Sequence, residues 1–598
     1  MNFELFNENQ ENLLSGQANG FIELEPHDYC YIDNETVKTL ELVQNNVEPS
    51  NKKHCLLGYL NAYTATTTGA RLLKEAVLRP LCHLQTLEHR LDCIEYLVSR
   101  VDVLGRITNC IKKFGQGIDL DSVIPCLITL YKSHSSGIDI AERRLDALTT
   151  VEMLVSQVMP LVSALEIDQQ TLNIYKVALS DPAYTEILNV IYEVIDTDVR
   201  VSTAKRTRMF RIKQGVDKLF DIARSTFNAA INDLEQYVRE LNHEDGLSWK
   251  LSFNTSRGYY LVIDPDQLPK NHVLPPRYIR VQKNRSALSC TTIDLMQSNV
   301  RANVSYENSM NIANEILMTA IGSVMDHSIA LGKLIDVIGI LDLITSFAKL
   351  VAHSKTPLVR PRFTASETII KNGRHPVLEA LLEVNNLEIV PNDTLLNVYN
   401  QNFMLITGPN MGGKSVYLKQ IGVIQVMAQL GCYVPAESAH IKIMNQIVVR
   451  SGTNDDNLSN CSSFMWEMKG IASAFRQDDG LQGGSVLYII DEVGRGTSID
   501  DGASYSFAIA EELASKRYCF TIFATHFDQI FALTKYGNIN AYHFKYDDDC
   551  ESPGKLRISH KLASGFAEKD HYGLRLAEAC GLPEEILISA KLSADIRI

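Results

Sequence analysis

The octapeptide Gly408-Pro409-Asn410-Met411-Gly412-Gly413-Lys414-Ser415 matches the pattern G-x-x-x-x-G-K-[ST]. Each residue type in it has a chemical task. Glycines let successive backbone N–H groups face a phosphate chain, the lysine ammonium reaches the β- and γ-phosphate oxygens, and the serine hydroxyl can ligate Mg²⁺ at a helix N-terminus. NFMLIT before the loop reads as a buried strand and SVYLKQIGVIQVMAQL after it as a helix, the setting such a loop needs. A chance glycine-rich turn would require neither neighbour. Farther on, VLYIIDE ends a second apolar run in Asp491 and Glu492. After a phosphate loop this pair predicts two roles. Asp491 joins Ser415 in the shell of a Mg²⁺ ion, and Glu492 orients or deprotonates an attacking water. His526 directly follows the run FTIFAT, where it is placed to sense a terminal phosphate. Between these runs, Ser462 and Ser463 stand after an acidic loop and at the start of an apolar helix. Such an exposed helix N-terminus offers donors to an anion, or is simply an N-capped turn.

These side chains need a scaffold, and the chain has three textures. From about residue 33 to 235 apolar residues recur at helical spacing. In TTTGARLLKEAVLRPL, Thr68 is placed to cap, Leu72, Leu73, Ala76 and Val77 share a face, and Pro80 ends the helix. GVDKLFDIARSTFNAAINDLEQYVRELN, residues 215–242, predicts one long amphipathic helix. From about Asn242, LSWKLSFNTSRGYYLVIDP is rich in aromatic and β-branched residues and predicts strands; helical spacing returns by Asp294 and runs to Val351. A small β-rich module therefore interrupts two helical arms. KTPLVRPRF, residues 355–363, reads as a linker, and the apolar runs beyond it, separated by helices, predict a parallel sheet.

A chain of 598 residues is too long for one core and suggests about three or four domains. Its longest apolar stretch, LIDVIGILDLITSFAKLVA, is interrupted by Asp336, Asp342 and Lys349, which predicts a buried helix and no membrane span. The acidic, polar first residues predict no secretory signal, and twelve cysteines without a C-x-x-C pair fit reduced thiols and no structural zinc. The net charge of −14 argues against a surface that coats nucleic acid indiscriminately, but leaves room for a local basic site. From Gln267 to Ile293 there is no acidic residue, while Lys270, Arg277, Arg280, Lys283 and Arg285 supply positive charge around Tyr278. On strands, alternate side chains of this segment would form an edge that contacts DNA phosphates without reading base sequence. The alternative is a solvated cationic loop. KRTRMFRIK, residues 205–213, is a second basic run, predicted on a helix.

TGPNMGGKS, SSFMWEM, IIDEVGRGTSIDDG, FATHF and HYGLRLAEACGLPEEIL occur in the order and spacing of MutS proteins, and the chain resembles that family over most of its length. The resemblance implies a multidomain α and α/β fold. After an N-terminal remnant (1–30) it has core and lever helices (31–240), an inserted small β-rich clamp (241–295) and returning lever and core helices (296–358). A P-loop ABC-type ATPase (359–545) follows, then the end of that domain with a helix-turn-helix dimerisation segment (546–598). It also implies ATP and Mg²⁺ as cofactors and a site completed across a dimer. Ser462 matches the serine that contacts the partner's nucleotide, Asn410 a P-loop asparagine, and His560 a histidine near adenine. The aromatic that stacks on adenine is replaced around Ile389, and the glycine before the partner-contacting serine near Asn460.

Mismatch-recognising members of the family begin with a domain carrying a Phe-x-Glu reader and then a connector domain. Here the core begins by about residue 30, so Phe21-Ile22-Glu23 matches the letters without the domain. The bacterial branch with a nuclease tail usually lacks the clamp. DPDQLP, RLDCIEYLV and KLASGFAEKDHYGL look most like the meiotic branch, although the connector is shorter than expected even there. That likeness implies a DNA-dependent ATPase in the nucleus that clamps branched recombination intermediates such as Holliday junctions and promotes crossing-over. Its heterodimer partner would be the fifth eukaryotic MutS homologue, with no membrane role. Three alternatives compete: a mismatch-repair subunit that borrows its reader from a partner, an SMC-like chromosome ATPase, and a catalytically silent scaffold. NLSNCSS is only a faint echo of the SMC signature and no sustained heptads appear, while intact Lys414, Ser415, Asp491 and Glu492 argue against the scaffold.

Overall fold

The unbroken apolar run before the glycine-rich loop forms a strand with no polar face. In a computed structural model of the chain, Phe403–Thr407 is buried at every residue and lies between parallel neighbours, Cys519–Ala524 and Ile539–Asp548. Helices cover both faces of such a sheet, so alternation would be a disadvantage. The residues described are 3–5, 21–23, 25–46, 48–133, 135, 137–165, 171–197, 209–254, 257–264, 274–284, 287–409, 412–452, 463–478, 484–548, 556–566, 577 and 581–595. Lys270, Arg285, Asn410, Met411 and Ser462 lie outside them, as does most of the segment between Phe566 and Gly581 on which the helix-turn-helix expectation rests. The helix Glu584–Asp595 is its described part.

Contacts divide the chain into two units. One comprises Met1–Lys112, Ala164–Lys176 and Ile338–Ile598; the other comprises Lys113–Ser163 and Val177–Val337. The first contains a seven-stranded sheet in the order Leu556–Ser564, Ile539–Asp548, Phe403–Thr407, Cys519–Ala524, Val486–Asp491, Gln446–Ser451, Tyr31–Ile32. Every pairing is parallel except the hairpin of the first two. Ala524 is in register with both Ile406 and Asp491, so Gly408, Glu492 and His526 leave the sheet at one carboxyl edge. That edge is where open parallel sheets bind ligands.

The last strand, Tyr31–Ile32, was expected among the core helices. It pairs instead with Gln446–Ser451, and the helix Asn34–Thr39 follows it, N-capped by Asp33 through the N–H of Thr36 at 2.8 Å. Buried Arg450 forms ion pairs with Asp33 and Glu35. In the helix Thr67–Leu78 the cap is Thr66 and not Thr68. Thr66 Oγ1 accepts from Gly69 N–H at 2.9 Å, while its own hydroxyl and N–H donate to buried Asp342 at 2.6 and 2.8 Å. A Cβ on Gly69 would lie 2.2 Å from that carboxylate, so glycine is required for the approach. The linker at 355–363 is not a loose tether. Arg360 is held by Glu88, Asp92 and Glu95 on the helix Leu84–Ser99, and Val359 bridges Val434.

In the second unit the long helices Lys218–Asp245 and Ile293–Met325 lie together, with Phe227 against Tyr306 at 5.7 Å between ring centroids. Between them in sequence is an antiparallel sheet in the order Lys250–Asn254, Gly258–Ile263, Leu288–Thr291, Ile279–Lys283. Two asparagines tie it down by acting as substitute strand partners. Asn299 binds Tyr259 N–H and C=O, both at 2.7 Å, and Asn242 binds those of Trp249 at 2.8 and 2.9 Å. Of the basic run 205–213, residues 205–208 lie outside the described residues. Its described residues, 209–213, begin with a short 3-10 turn in which Arg211 is buried and donates to Thr149 Oγ1 at 2.8 Å, so among the described residues the run forms no cationic helix face. Phe21–Glu23 pairs antiparallel with Phe3–Leu5.

Candidate active site

Gly408 leaves its strand at φ +140, and a Cβ there would lie 3.1 Å from Phe544 Cβ. Gly413, at φ +102, starts the helix Lys414–Gln429 from a left-handed residue. Both are conformations that a side chain would strain. The turn buries Lys414, whose ammonium donates to the Gly408 and Pro409 carbonyls at 2.8 and 3.2 Å and lies 3.2 Å from Glu492 Oε1. Ser415 Oγ donates to Asp491 Oδ2 at 2.6 Å. His526 Nε2 is 2.6 Å from Glu492 Oε1 and 3.2 Å from Lys414 Nζ. The five residues predicted from separate stretches therefore form one contiguous cluster at the carboxyl edge of the sheet.

The cluster is strongly charged and poorly solvated. Burial pushes the Glu492 carboxyl up, but the hydrogen bond from His526 and the Lys414 charge outweigh it and hold it at about 2. Glu492 is thus an anion at neutral pH. Burial lowers the Lys414 ammonium below the usual lysine range, an effect that Glu492 only partly offsets. Burial likewise raises Asp491, against the hydrogen bond from Ser415. Asp491 Oδ1 is buried and has no hydrogen-bond partner, an expensive arrangement unless another group fills it. A lone carboxylate oxygen beside a hydroxyl is a hard-oxygen donor set, and it fits Mg²⁺.

Two residues that sequence reasoning left without a role complete the site. Arg495 Nη1 lies 2.6 Å from Glu492 Oε2, an i,i+3 contact that only this turn creates. Glu467, on the helix Ser463–Asp478, accepts the Gly494 N–H at 2.7 Å. Both stand in quoted motifs, which was the only signal. A cavity of about 310 Å³ opens beside Glu492, Arg495, Thr497, Thr525 and His526.

The profile of MutS domain V matches residues 404–596 and that of MutS domain III matches residues 35–348. The chain belongs to the MutS family. It is 32% identical over 571 residues to "MutS protein homolog 4" of Homo sapiens, covering 94% of this chain and 59% of that protein. It is 32% identical over 595 residues to "DNA mismatch repair protein MSH4" of Arabidopsis thaliana, covering 94% and 72%. The bacterial "DNA mismatch repair protein MutS" of Fervidobacterium nodosum is 30% identical over 586 residues, covering 95% and 64%. The chain thus spans less than two thirds of the human relative's length.

The residues carried over from MutS resemblance fall as follows. His560, at φ +53, places Nδ1 3.2 Å from the Gly412 carbonyl, and its own carbonyl accepts from Asn392 Nδ2 at 2.9 Å. That contact joins it to the loop of half-buried Ile389. Ser463 begins its helix, and Ser462 lies outside the described residues. In the expected clamp, Arg280 and Lys283 are exposed on the strand Ile279–Lys283 at the edge of its sheet. Arg277 is instead paired with Glu244 at 2.7 Å and with Asp245. Tyr278 is buried, and its hydroxyl accepts from Trp249 Nε1 at 2.9 Å, so it is a core residue of the module.

Proposed function

We propose that this MutS-family chain is an ATP-hydrolysing DNA clamp of the meiotic branch. It acts in the nucleus as one half of a heterodimer with the fifth eukaryotic MutS homologue, holds branched recombination intermediates such as Holliday junctions, and promotes crossing-over. The observation that carries the ATPase reading is the joining of Lys414, Ser415, Asp491, Glu492 and His526 at one sheet edge. Likeness over 94% of the chain to the human and Arabidopsis relatives supports the branch. The domain limits proposed with it are a clamp at 241–295, an ATPase at 359–545, and the end of that ATPase with a helix-turn-helix dimerisation segment at 546–598.

In this reading Gly408, Asn410, Met411, Gly412 and Gly413 cradle the phosphates with their backbone. Lys414 exchanges its loop carbonyls and Glu492 for phosphate oxygens, and His560 and Ile389 border the base. Ser415 and Asp491 would hold Mg²⁺, which when bound neutralises phosphate charge. Glu492, released from Lys414, accepts the proton of the attacking water, and His526 orients it toward the terminal phosphate. Ser462 and Ser463 contact the nucleotide of the other subunit, so that ATP closes the dimer around DNA and turnover resets it.

Binding of the purified chain, with and without the related partner, to a four-way junction, a plain duplex and a G·T mismatch tests this, each with and without ATP. Junction preference that needs the partner, with release or sliding on ATP, is expected. Mismatch preference would favour the mismatch-repair reading, which the bacterial relative supports, and indifference to ATP would overturn the clamp. With Arg277 already paired, Lys270, Arg280, Lys283 and Arg285 are the proposed phosphate contacts. Four such contacts predict that log K falls with log salt at a slope of about −3.6, and the Arg280→Ala/Lys283→Ala double variant at about −1.8. An unchanged slope in that variant would move the DNA elsewhere.

A further inference from the structure

Glu492 has a left-handed backbone, φ +57, although it is not glycine. A residue in that region is strained by about 1–2 kcal/mol and persists only where its surroundings over-determine it. Three contacts do so. The Glu492 N–H donates to the Ala524 carbonyl at 2.9 Å, which ties the residue to the neighbouring strand. Gly452 packs against the Glu492 carbonyl so closely that a Cβ would lie 2.6 Å from its oxygen. The third contact is two residues on, where the Gly494 N–H is held by the buried carboxylate of Glu467 at 2.7 Å.

We propose that Glu467 is a positioning residue for hydrolysis: by fixing the Gly494 amide it holds the turn Glu492-Val493-Gly494, and with it the carboxylate that meets Lys414, His526 and Arg495. The inference rests on the ATPase reading and deepens it. Gly494, at φ +92, is hemmed in on its other side, where a Cβ would lie 2.7 Å from the Gly502 carbonyl and 2.8 Å from Ser506 Oγ. On that side the helix Ile499–Ser515 braces the turn, and its Ser506 Oγ also donates to the Val493 carbonyl at 2.7 Å; the Glu467 carboxylate is the brace from the helix Ser463–Asp478. That helix, Ser463–Asp478, begins at the serine proposed to face the other subunit's nucleotide. It packs through Gly470 against Glu35 and Arg450, which lie 2.8 and 3.1 Å from a Cβ built there. A shift of the helix on nucleotide binding across the dimer would therefore move the Gly494 amide and reorient Glu492. Burying an anionic side chain is unfavourable, and an apolar residue would pack the same space without it. The acceptor, and not the packing, is what the position supplies.

The test compares Glu467→Ala and Glu467→Gln in the full chain with its partner present. Three quantities are measured: affinity for a fluorescent ATP analogue, single-turnover ATP hydrolysis, and thermal melting. Glu467→Ala is expected to keep analogue affinity within about twofold and to lose hydrolysis by about tenfold to a hundredfold, the scale of a misplaced catalytic group. Glu467→Gln, whose amide oxygen still accepts the Gly494 N–H, should recover most of the rate. Parental hydrolysis in Glu467→Ala would overturn the proposal, as would equal losses of affinity and rate without rescue by glutamine, which mark a merely structural role. Should the parent chain bind no analogue and hydrolyse no ATP, the ATPase reading fails and this inference with it.

Discussion

Glu492→Gln should bind ATP at least as tightly as the parent and hydrolyse it about 10²–10⁴-fold more slowly in a single turnover, the usual contribution of a positioned general base. The amide has the shape of the carboxylate but cannot take the proton of the attacking water. Affinity should not fall, because Lys414, now 3.2 Å from an anion, would face a weaker competitor for phosphate. Unchanged turnover would remove Glu492 from its role. The same variant tests the electrostatics of the nucleotide-free site. The Glu492 carboxyl sits at about 2 in the folded protein against an ordinary value of 4.5, so it stabilises the fold at any pH above about 4.5. That contribution fades as pH falls from about 4.5 through about 2 and is gone only below about 2, where both the folded and the unfolded forms are protonated. Near neutral pH Glu492→Gln should therefore lose roughly 2–3 kcal/mol in urea unfolding of this domain, and the gap should narrow progressively as pH falls from about 4.5 toward about 2. A gap independent of pH would mean lost packing and not lost charge.

Arg450→Ala should be the more damaging change for the fold, at about 3–5 kcal/mol, because it leaves Asp33 and Glu35 partly buried with no cation between them. Burial pushes both carboxyls up. In Asp33 the hydrogen bond and charge of Arg450 outweigh that and hold it below the usual range, whereas Glu35 stays raised. The damage should be local first. Hydrogen exchange of the amides in Tyr31–Thr39 should accelerate well before those of Phe403–Thr407, since the two-residue strand Tyr31–Ile32 has only one neighbour in the sheet. Replacing all three charges at once, Arg450→Met with Asp33→Asn and Glu35→Gln, should recover most of the loss. Exchange that rises equally in both strands would show that Arg450 supports the whole sheet and not its edge.

Much of the fold could be read from local pattern. Strands buried on both faces need continuous apolar text, and amphipathic helices need a 3.6-residue stripe; both are decided within a window of a few residues. NFMLIT, VLYIID and FTIFAT, and the long helices on either side of the β-rich module, were legible for that reason. Lys414, Ser415, Asp491 and Glu492 could likewise be picked out as candidates, because a phosphate loop and a carboxylate pair at a strand end are recognised by residue type and spacing, and the structure brings the four together.

What neighbours across the fold decide was not legible. Thr66, Thr67 and Thr68 are equivalent as text, and Thr66 became the cap because Asp342, far along the chain, holds its N–H and hydroxyl. Arg277 looked like its basic neighbours until Glu244 and Asp245 were brought beside it, and Tyr278 until Trp249 was. Tyr31–Ile32 is too short to announce a strand and exists because Gln446–Ser451 offers it an edge. Glu467 and Arg495 stand in familiar motifs, yet their partners are a backbone amide and a carboxylate placed by one left-handed turn. Residue type and spacing specified which groups could do chemistry here. Only the register of the sheet, which brings three strand ends to one edge, decided which of them meet, because ion pairs and hydrogen bonds act over a few ångströms of space whatever their separation along the chain.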